Sequence, residues 1–372
     1  MHSYIVLVSP SYGGAEKRFF DIFTSMFRSG LDVTLVAPLS LSERLQADHP
    51  ERADVFGAML SLALPAWSRG GFIKAWRARL AALPRGGHYH YPLNCLWPLH
   101  LGRGDRVSMS MVDCAAVCSP FGGTVASVWG WVSARMVDRV DVLSPAIFRV
   151  LQQRAGARKT SLTPGGTYLV PAPAAQVDKQ PLIVFMSRLV PLKGVLDWLD
   201  VLPALWQALA PLAPPGTRFQ IAGYGSLEAQ VRSRVAAMAD AAIPVAFTGY
   251  GVAGELLPPA AIVLSLQETT NFPSRVVAEA LIAGCAVIVR DTGDSRQFGS
   301  DPGLQYCAER LDGEALAAQI APLLAQVLGE PAFGQEVRRA ALARYSNAAY
   351  ISYFRDLMGA RALAAPGAAE AA

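Results

Sequence analysis

The stretch that decides the fold runs from Ser265 to Asp294 and reads SLQETTNFPSRVVAEALIAGCAVIVRDTGD. The apolar run Ala260–Leu266 at its start is short enough for a buried strand, and Ala286–Val289 near its end has the same character. Between them Ser274 is a good N-cap, and apolar residues then recur at helical spacing. The stretch therefore predicts a strand–helix–strand unit whose polar loops lie at the carboxyl ends of its strands. Open α/β sheets bind ligands at that edge.

The start of the predicted helix is a candidate anion site. Backbone N–H groups near Ser274 and Arg275 precede the first intrahelical hydrogen bonds, and they lie at the positive end of the helix dipole. Both features suit a phosphate. Glu279, five residues after Ser274, is placed to hold a sugar hydroxyl beside that phosphate.

A second polar loop follows the apolar run Leu182–Met186, which predicts another buried strand. The loop carries Arg188, Lys193 and Gly194. A guanidinium and an ammonium at a strand exit can clamp a diphosphate, Arg through forked hydrogen bonds and Lys as a point charge. Taken alone, the loop is better explained as solvated surface; together with the Glu279 helix, it favours the clamp.

These motifs resemble the donor site of the family 4 retaining glycosyltransferases of GT-B fold. The cation loop is similar to the family pattern Gly-Arg-Leu-x-x-x-Lys-Gly, with Ser187 in place of the first glycine. The helix motif is similar to a pair of glutamates with seven residues between them. Counting back eight residues from Glu279 reaches Asn271, so the first glutamate is replaced, and Glu268 is out of register. The resemblance covers most of Ile183–Asp294.

The resemblance implies an α/β protein of GT-B fold: two Rossmann-like domains with parallel sheets facing a central cleft, and a C-terminal helix that crosses back to the first domain. We expect an N-terminal acceptor-side domain over residues 1–170 and a donor domain over 171–340. A proline-rich linker, Val170–Pro181, marks the boundary. Residues 341–360 are expected to form the returning helix, and residues 361–372 a frayed, alanine-rich tail.

The resemblance also implies roles for individual residues of the donor side. The residues expected to act in catalysis are Arg188, Lys193, Asn271 and Glu279. The residues expected to bind the nucleotide sugar are Gly223, Tyr250, Ser274 and Arg275. Within this scheme Asn271 bonds hydroxyls of the donor sugar, Glu279 holds the ribose, and Tyr250 contacts the base.

The acceptor side is expected in the first half of the chain. The predicted first strand, Tyr4–Ser9, leads into Gly13 and Gly14, which resemble the family's acceptor-side loop; the alternative is that both glycines only permit a tight turn. Asp113 ends a predicted strand where relatives often carry His-Asp, and Val112 stands in place of the histidine. His90 and His100 are candidate replacements, although a lone histidine is more often a packed or surface residue.

The function implied is transfer of a hexosyl group from a nucleotide diphosphate sugar to a glycan or lipid-linked acceptor, with retention, in bacterial surface polysaccharide synthesis. GT-B enzymes generally need no metal, and the five cysteines and five histidines show no metal-binding spacing, so neither a metal nor another cofactor is expected. Two alternatives stay open. One is a GT-B epimerase or phosphorylase, and the other is a non-catalytic nucleotide-sugar-binding subunit of a partner enzyme.

Composition narrows the class of protein further. The 372 residues are 52% hydrophobic and 17% charged, which is typical of a globular chain with large cores. We expect no membrane span and no signal peptide, and the odd number of cysteines suits a reducing cytoplasm. Residues 1–170 contain 18 Lys/Arg and 11 Asp/Glu, a balance that favours an anionic partner. Nothing in the sequence resembles a nucleic-acid-binding signature.

The segment Phe72–Leu80 is basic and amphipathic, with Trp76 on its apolar side. Such a segment can lie in a membrane interface with its apolar face buried in lipid. The alternative is a surface helix whose Trp76 and Leu80 pack inward. Because many proteins of the resembled family work at the inner membrane face, we expect a cytoplasmic protein with peripheral membrane contact.

Overall fold

A computed structural model describes residues 1–10, 12–64, 68–92, 96–111, 132–143, 145–155, 159–163, 177–345 and 347–362. The chain divides into two compact units. The first comprises Met1–Leu169 together with Asn347–Ala372, and the second comprises Val170–Ser346. The second unit therefore begins beside the expected boundary and extends past its expected end at residue 340.

The first unit contains a parallel sheet of seven strands in the order β3-β2-β1-β4-β5-β6-β7. Its strands are β1 (Ser3–Val6), β2 (Val33–Pro38), β3 (Met59–Leu62), β4 (His88–Pro92), β5 (Arg106–Met111), β6 (Arg139–Val142) and β7 (Thr160–Leu162). The strand order reverses between β1 and β4. This topological switch point is where an open sheet of this kind leaves a crevice at its carboxyl edge.

The second unit contains a parallel sheet of six strands in the order β10-β9-β8-β11-β12-β13. Its strands are β8 (Gln180–Met186), β9 (Arg218–Ala222), β10 (Val245–Phe247), β11 (Ala260–Ser265), β12 (Ala286–Arg290) and β13 (Leu304–Cys307). The switch point of this sheet lies between β8 and β11. The two polar loops singled out in the sequence follow these two strands.

The helices of the described residues connect the strands, as expected for doubly wound sheets. They are α1 (Gly14–Arg28), α2 (Leu39–Asp48), α3 (Arg69–Ala81), α4 (Pro145–Ala155), α5 (Val195–Leu209), α6 (Glu228–Asp240), α7 (Ala253–Leu256), α8 (Arg275–Ile282), α9 (Gly313–Gly329), α10 (Pro331–Arg344) and α11 (Asn347–Met358). Short 3-10 helices cover Pro50–Ala58, Trp97–His100 and Ser295–Phe298.

Alternate residues of the first sheet face two separate cores. Tyr4 and Val6 of β1 pack on the side covered by α3 and α4, whereas Ile5 packs on the side covered by α1, α2 and α11. This alternation follows from the period of two along a strand. In the second unit α5 and α9 cover one core, in which Trp198 stacks on Phe185 with ring centroids 5.3 Å apart.

Helix α3 corrects one expectation. Phe72, Trp76 and Leu80 are all buried in the first unit, and the Trp76 indole N–H donates to the Tyr91 hydroxyl (2.9 Å). Its apolar face is therefore occupied by the protein core and is not available for insertion into a membrane. The inward-packing alternative is the one that the structure supports.

A returning helix is present within the range expected for it. It is α11 (Asn347–Met358), which packs in the first unit, whereas α10 ends at Arg344 in the second unit. Residues at the start of the expected frayed tail are paired, because Ala362 forms an antiparallel bridge with Leu31 and the Asp32 N–H donates to the Arg361 carbonyl (2.9 Å). Residues 363–372 lie outside the described part of the chain.

No single helix in the described ranges is long and apolar enough to cross a membrane. By length and composition alone, the pair Gly313–Gly329 and Pro331–Met358 would suffice together, but it is bent by 100°. The apolar residues of the first of these helices, among them Leu316, Ile320 and Leu324, belong to the core of the second unit.

Candidate functional site

The cation loop after β8 is held against the end of β11. Gly194 has φ +76°, and a Cβ at this position would lie 1.8 Å from the Leu266 carbonyl oxygen, so no other residue fits without backbone movement. Leu192 also has a positive φ, +69°, which is uncommon for a branched side chain, and its carbonyl accepts from the Glu268 N–H (3.1 Å). The loop is thereby fixed to the turn that follows β11.

Lys193 and Arg188 supply the charge of this loop. The Lys193 ammonium donates a hydrogen bond to the Gln267 side-chain oxygen, and the lysine is partly buried. Burial, and secondly the nearby Arg188 guanidinium, lower the pKa of Lys193. Arg188 itself is exposed. An anion between the two cations would stabilise the charged form of Lys193.

The loop after β9 closes against the same cation loop. Gly223 and Gly225 have φ values of +155° and +152°, and a Cβ on them would lie 1.9 Å from the Ser187 carbonyl oxygen and 2.3 Å from that of Leu189. The Leu189 N–H donates to the Tyr224 carbonyl (2.8 Å). Gly223 therefore lies at the site edge, and the reason for a glycine there is the close approach of two backbones.

Two tyrosines form an exposed aromatic surface on this edge. Tyr250 is 70% exposed, Tyr224 is 51% exposed, and their ring centroids are 5.8 Å apart. The Gly223 N–H donates to the Gly249 carbonyl (2.7 Å), which joins the loops that carry the two rings. Tyr250 was predicted as a site residue, but Tyr224 was not. The sequence did contain a signal for Tyr224, because an aromatic residue between two glycines at a strand end is poorly explained by core packing.

Helix α8 begins as its sequence predicts. The Ser274 hydroxyl accepts from the Val277 N–H (3.5 Å), which makes Ser274 the N-cap. Arg275 Nε donates to Glu279 Oε1 (2.7 Å), and both side chains are largely buried. The pair was not foreseen. It fixes the Glu279 carboxylate one turn from the helix start, with a guanidinium beside it.

Asn271 has a different role from the one expected. It is fully buried, its Oδ1 accepts from the Ser265 hydroxyl (2.9 Å) and the Gln267 N–H (3.0 Å), and its Nδ2 donates to the Arg290 carbonyl (2.8 Å). The amide is thus used to tie β11 to β12. This arrangement speaks against the expected bonds from Asn271 to hydroxyls of a donor sugar, and it makes Asn271 an organiser of the turn.

Hydrogen bonds join the cation loop to the turn after β11 at the second switch point. Lys193 is bonded to Gln267, Gln267 is bonded to Asn271, and the same turn leads directly into the cap and first turns of α8. Gln267, which the sequence did not single out, is the link between the cation loop and the helix. Chemically, the edge combines two cations, a helix start, an anchored carboxylate and an aromatic surface.

The two glycines predicted for the acceptor side lie at the start of helix α1. The Gly13 N–H donates to the Glu16 carboxylate (3.0 Å), and Gly14 is the first residue of α1. These contacts are those of a helix start, as in the tight-turn alternative. Asp113 lies outside the described residues.

His90 is buried within β4 rather than at the edge. Its Nδ1 hydrogen-bonds with the Ser108 hydroxyl (2.8 Å) and its Nε2 with the Ser110 hydroxyl (3.1 Å). Burial lowers the pKa of His90 well below its ordinary value, so the ring is neutral. A neutral, fully enclosed ring with both nitrogens bonded speaks against contact with an acceptor.

Comparisons with known proteins agree with this architecture. Residues 180–326 match the family model described as "Glycosyl transferases group 1". No curated protein sequence matches the chain. The family match falls on the unit that contains both predicted donor motifs.

Solved structures resemble the chain over nearly its whole length. HepE of Anabaena in complex with UDP and glucose has a TM-score of 0.71 at 14% identity, with 96% of this chain and 99% of that chain covered. Sucrose-phosphate synthase of Thermosynechococcus elongatus has a TM-score of 0.68 at 17% identity, with 95% and 97% covered. A glycosyltransferase of Rickettsia africae has a TM-score of 0.68 at 13% identity, with 96% and 98% covered.

Likeness at this level of identity shows the fold. The prediction of a GT-B fold with two parallel-sheet α/β domains is confirmed. The family match over residues 180–326 supports a glycosyltransferase domain in the second unit. The chain has the GT-B fold, and its residues 180–326 match the glycosyl transferases group 1 family model.

Proposed function

We propose that this protein is a retaining glycosyltransferase of family 4. It moves a hexosyl group from a nucleotide diphosphate sugar to a glycan or lipid-linked acceptor in bacterial surface polysaccharide synthesis. The observation that carries the proposal is the bonded junction at the second switch point. There Lys193 contacts Gln267, and the turn that contains Gln267 leads into helix α8.

The junction suits a leaving diphosphate. As the bond from the sugar to the diphosphate breaks, negative charge grows on the phosphate oxygens, and fixed cations stabilise it most when they need no rearrangement. Gln267 already holds Lys193 in place. Burial and, secondly, the charge on Arg188 lower the pKa of Lys193, and a bound anion would offset both effects. The start of α8 adds backbone N–H donors.

The donor we propose is a uridine diphosphate sugar. HepE of Anabaena is a structural neighbour seen with UDP and with UDP-glucose. In this chain, Tyr224 and Tyr250 offer an exposed surface on which a base can stack. Glu279, oriented by Arg275, would hold the ribose hydroxyls.

The resemblance implies how retention is achieved. The bond between the anomeric carbon and the leaving phosphate oxygen breaks, the acceptor oxygen bonds to the same face of that carbon, and the acceptor proton passes to the leaving phosphate. No dedicated base is then required. We propose that no metal or other cofactor takes part, and transfer measured with and without EDTA tests that point.

Contact with a membrane is proposed to be electrostatic. The apolar face of α3 is buried in the first core, but Lys74 and Arg77 on the same helix are exposed. Arg69, Arg79 and Arg85, in or near the same helix, are also exposed. Such a surface attracts anionic lipid at about 1 kcal/mol per basic residue. It would keep the protein at the cytoplasmic face, beside a lipid-linked acceptor.

Vesicle sedimentation tests the membrane contact. Binding to phosphatidylglycerol vesicles is expected to exceed binding to phosphatidylcholine vesicles and to fall with salt. Lys74→Glu with Arg77→Glu should weaken it strongly, whereas the control pair Arg218→Glu with Arg310→Glu, in the second unit, should not. Equal binding to both lipids would rule out contact by charge.

The central experiment is donor binding followed by product analysis. Titration calorimetry with UDP and UDP-sugars should detect binding, and binding should raise the melting temperature by mass action. Incubation with a labelled UDP-hexose and an acceptor should give a product whose anomeric configuration, read by NMR, is that of the donor. An inverted product would exclude the retaining mechanism, and failure of all nucleoside diphosphates to bind would exclude the donor site.

One observation keeps the binding-subunit alternative open. The position eight residues before Glu279 holds Asn271, whose amide is used internally. If donor binds but is neither transferred nor hydrolysed with any acceptor tried, the subunit interpretation is favoured. A free sugar epimer or sugar phosphate among the products would instead indicate an epimerase or phosphorylase.

A further inference from the structure

The first unit contains a buried ion pair between α1 and β6. Arg18 Nη2 lies 3.5 Å from Asp141 Oδ2, and both side chains are inaccessible to solvent. The pair lies close to the carboxyl edge of the first sheet. Arg18 is in the first turns of α1, after Gly13 and Gly14, and Asp141 is near the end of β6.

The Asp141 carboxylate is saturated with donors. Its Oδ1 accepts from the hydroxyls of Thr163 and Tyr353, each at 2.6 Å, and its Oδ2 accepts from the Ser110 hydroxyl at 2.6 Å. Burial and the neighbouring carboxylate raise the pKa of Tyr353, so its hydroxyl stays protonated and remains a donor. The donors come from three separate segments: the end of β5, the residue after β7, and helix α11.

Helix α11 is attached to the same centre from a second direction. Arg18 Nε donates to the Tyr350 hydroxyl (2.7 Å), and the Arg18 guanidinium lies 5.5 Å from the centre of the Phe354 ring. The helix that returns after the second unit is therefore joined to α1 through Arg18 and to β6 through Asp141.

Stability alone does not account for such a network. Replacing a buried ion pair by groups without charge is often neutral or stabilising, because removing charges from water costs as much as their attraction returns. What a hydrogen-bonded polar network does provide is one fixed arrangement of the segments that it joins. Here those segments are the start of α1, the ends of three strands and α11.

We infer that Asp141, together with Arg18, is a positioning residue for the acceptor side of the active site. The inference rests on the proposed function, in which the carboxyl edge of the first sheet receives the acceptor. The network holds the start of α1 and the end of β7 in register with α11. It acts through these elements and does not contact the acceptor.

The test compares three variants with the wild type. Tyr353→Phe removes one hydroxyl from the network. Arg18→Met with Asp141→Asn removes both charges but leaves an amide that can bond the surrounding hydroxyls. The matched control is Arg28→Met with Asp54→Asn, which removes an exposed ion pair of the same unit.

Hydrogen exchange is the first readout. Both network variants should exchange amide protons faster at residues 17–22 of α1, where the backbone N–H groups have helical acceptors, the first being Lys17 to the Gly13 carbonyl. The control pair should leave this region unchanged, and α8 should be unaffected in all variants. Exchange at residues 17–22 identical to the wild type overturns the inference. This readout needs no sugar transfer.

Kinetics is the second readout. With acceptor varied, the charge-free pair should raise the acceptor KM by roughly 10-fold or more, the scale of a small misplacement of a bound reactant. The KM for donor and the melting temperature should change little. An unchanged acceptor KM in a folded, transferring variant also overturns the inference. Faster exchange in a protein whose wild type transfers no sugar would instead count against the proposed function alone.

Discussion

The two sheets share a topology but use their switch points differently. In the second unit, Arg188 and Tyr250 lie on the loops that follow β8 and β10, and both are exposed. In the first unit, the polar side chains His90 and Asp141 lie within strands and are fully buried. A polar group one or two residues past a strand end can meet a ligand, whereas one inside the strand must be satisfied by the protein. The position of the polar residues relative to the strand end therefore distinguishes an edge that can bind a ligand from a buried polar network that holds segments of the fold together.

Lys193→Ala and Glu279→Ala should give the largest effects if the second edge binds the ligand. Loss of one group that stabilises transition-state charge costs about 100-fold to 1000-fold in turnover. We expect a loss of that size with Lys193→Ala and a strong loss with Glu279→Ala, measured as kcat for transfer to a soluble acceptor. Melting temperatures should stay near the wild type. The exposed residues Lys74 and Glu255 supply control alanine variants, and near-normal turnover of either site variant would show the site to be misplaced.

Gly194→Ala measures how tightly the cation loop is packed. Its Cβ would meet the Leu266 carbonyl at 1.8 Å, whereas Gly216, with φ +81°, has open space around it. Alanine at Gly216 should cost only the strain of a positive φ, about 1 kcal/mol. Alanine at Gly194 should cost about 2 kcal/mol more, because the backbone of one strand end must move. Urea unfolding of both variants gives the difference, and equal costs would mean that the close approach is not maintained.

Acid should destabilise the first unit more than the second. All five histidines precede residue 101, and burial lowers the pKa of His88 to about 4. Between pH 6.5 and 4 the unfolded chain binds a proton at this position and the folded chain does not, so stability falls as pH falls through this window. At pH 5 the loss from His88 alone is about 2 kcal/mol.

Hydrogen exchange at pH 7 and pH 5 locates that loss. The opening free energy of the first unit should drop, and that of the second should change much less. A His88→Gln variant should reduce the pH dependence of the first unit. An equal drop in the opening free energy of both units would show that the buried histidines do not cause the loss of stability in acid.

Leu192→Gly should give the smallest effect. Glycine accepts the positive φ that costs a leucine about 1 kcal/mol, so the variant should be slightly more stable. Ala242, with φ +57° and remote from the cation loop, supplies the control Ala242→Gly. Both should raise the unfolding midpoint, but only Leu192→Gly should lower the affinity for UDP in calorimetry, because it loosens the loop that carries Lys193. Equal UDP affinity in both would show that the strained residue does not help to hold the loop.

Local sequence patterns were sufficient to predict the strands and the helix at the carboxyl edge of the second sheet. The spacing of apolar residues placed β11, α8 and β12, and Ser274 was correctly predicted as the N-cap. These features depend on neighbours within a few residues, so the sequence contains the whole cause. The GT-B fold followed from motif resemblance and is confirmed by the structural neighbours.

Side-chain partners could not be predicted in the same way. Asn271 bonds to Arg290, and Arg18 bonds to Tyr350, which is 332 residues away in the chain. From the sequence, Trp76 suited a membrane interface and a protein core equally well. In the structure it is hydrogen-bonded to Tyr91 within the core. Each outcome depends on which distant segment arrives next to the residue.

The amino-acid sequence thus determined where the strands and helix of the second edge begin and which loops follow them. Only the tertiary structure decided which polar groups face solvent and which are buried with hydrogen-bond partners inside the protein, as Asn271 and His90 are. The reason is physical: a helix cap or a strand is stabilised by adjacent residues, whereas the burial of a polar side chain is decided by partners that folding brings from elsewhere in the chain.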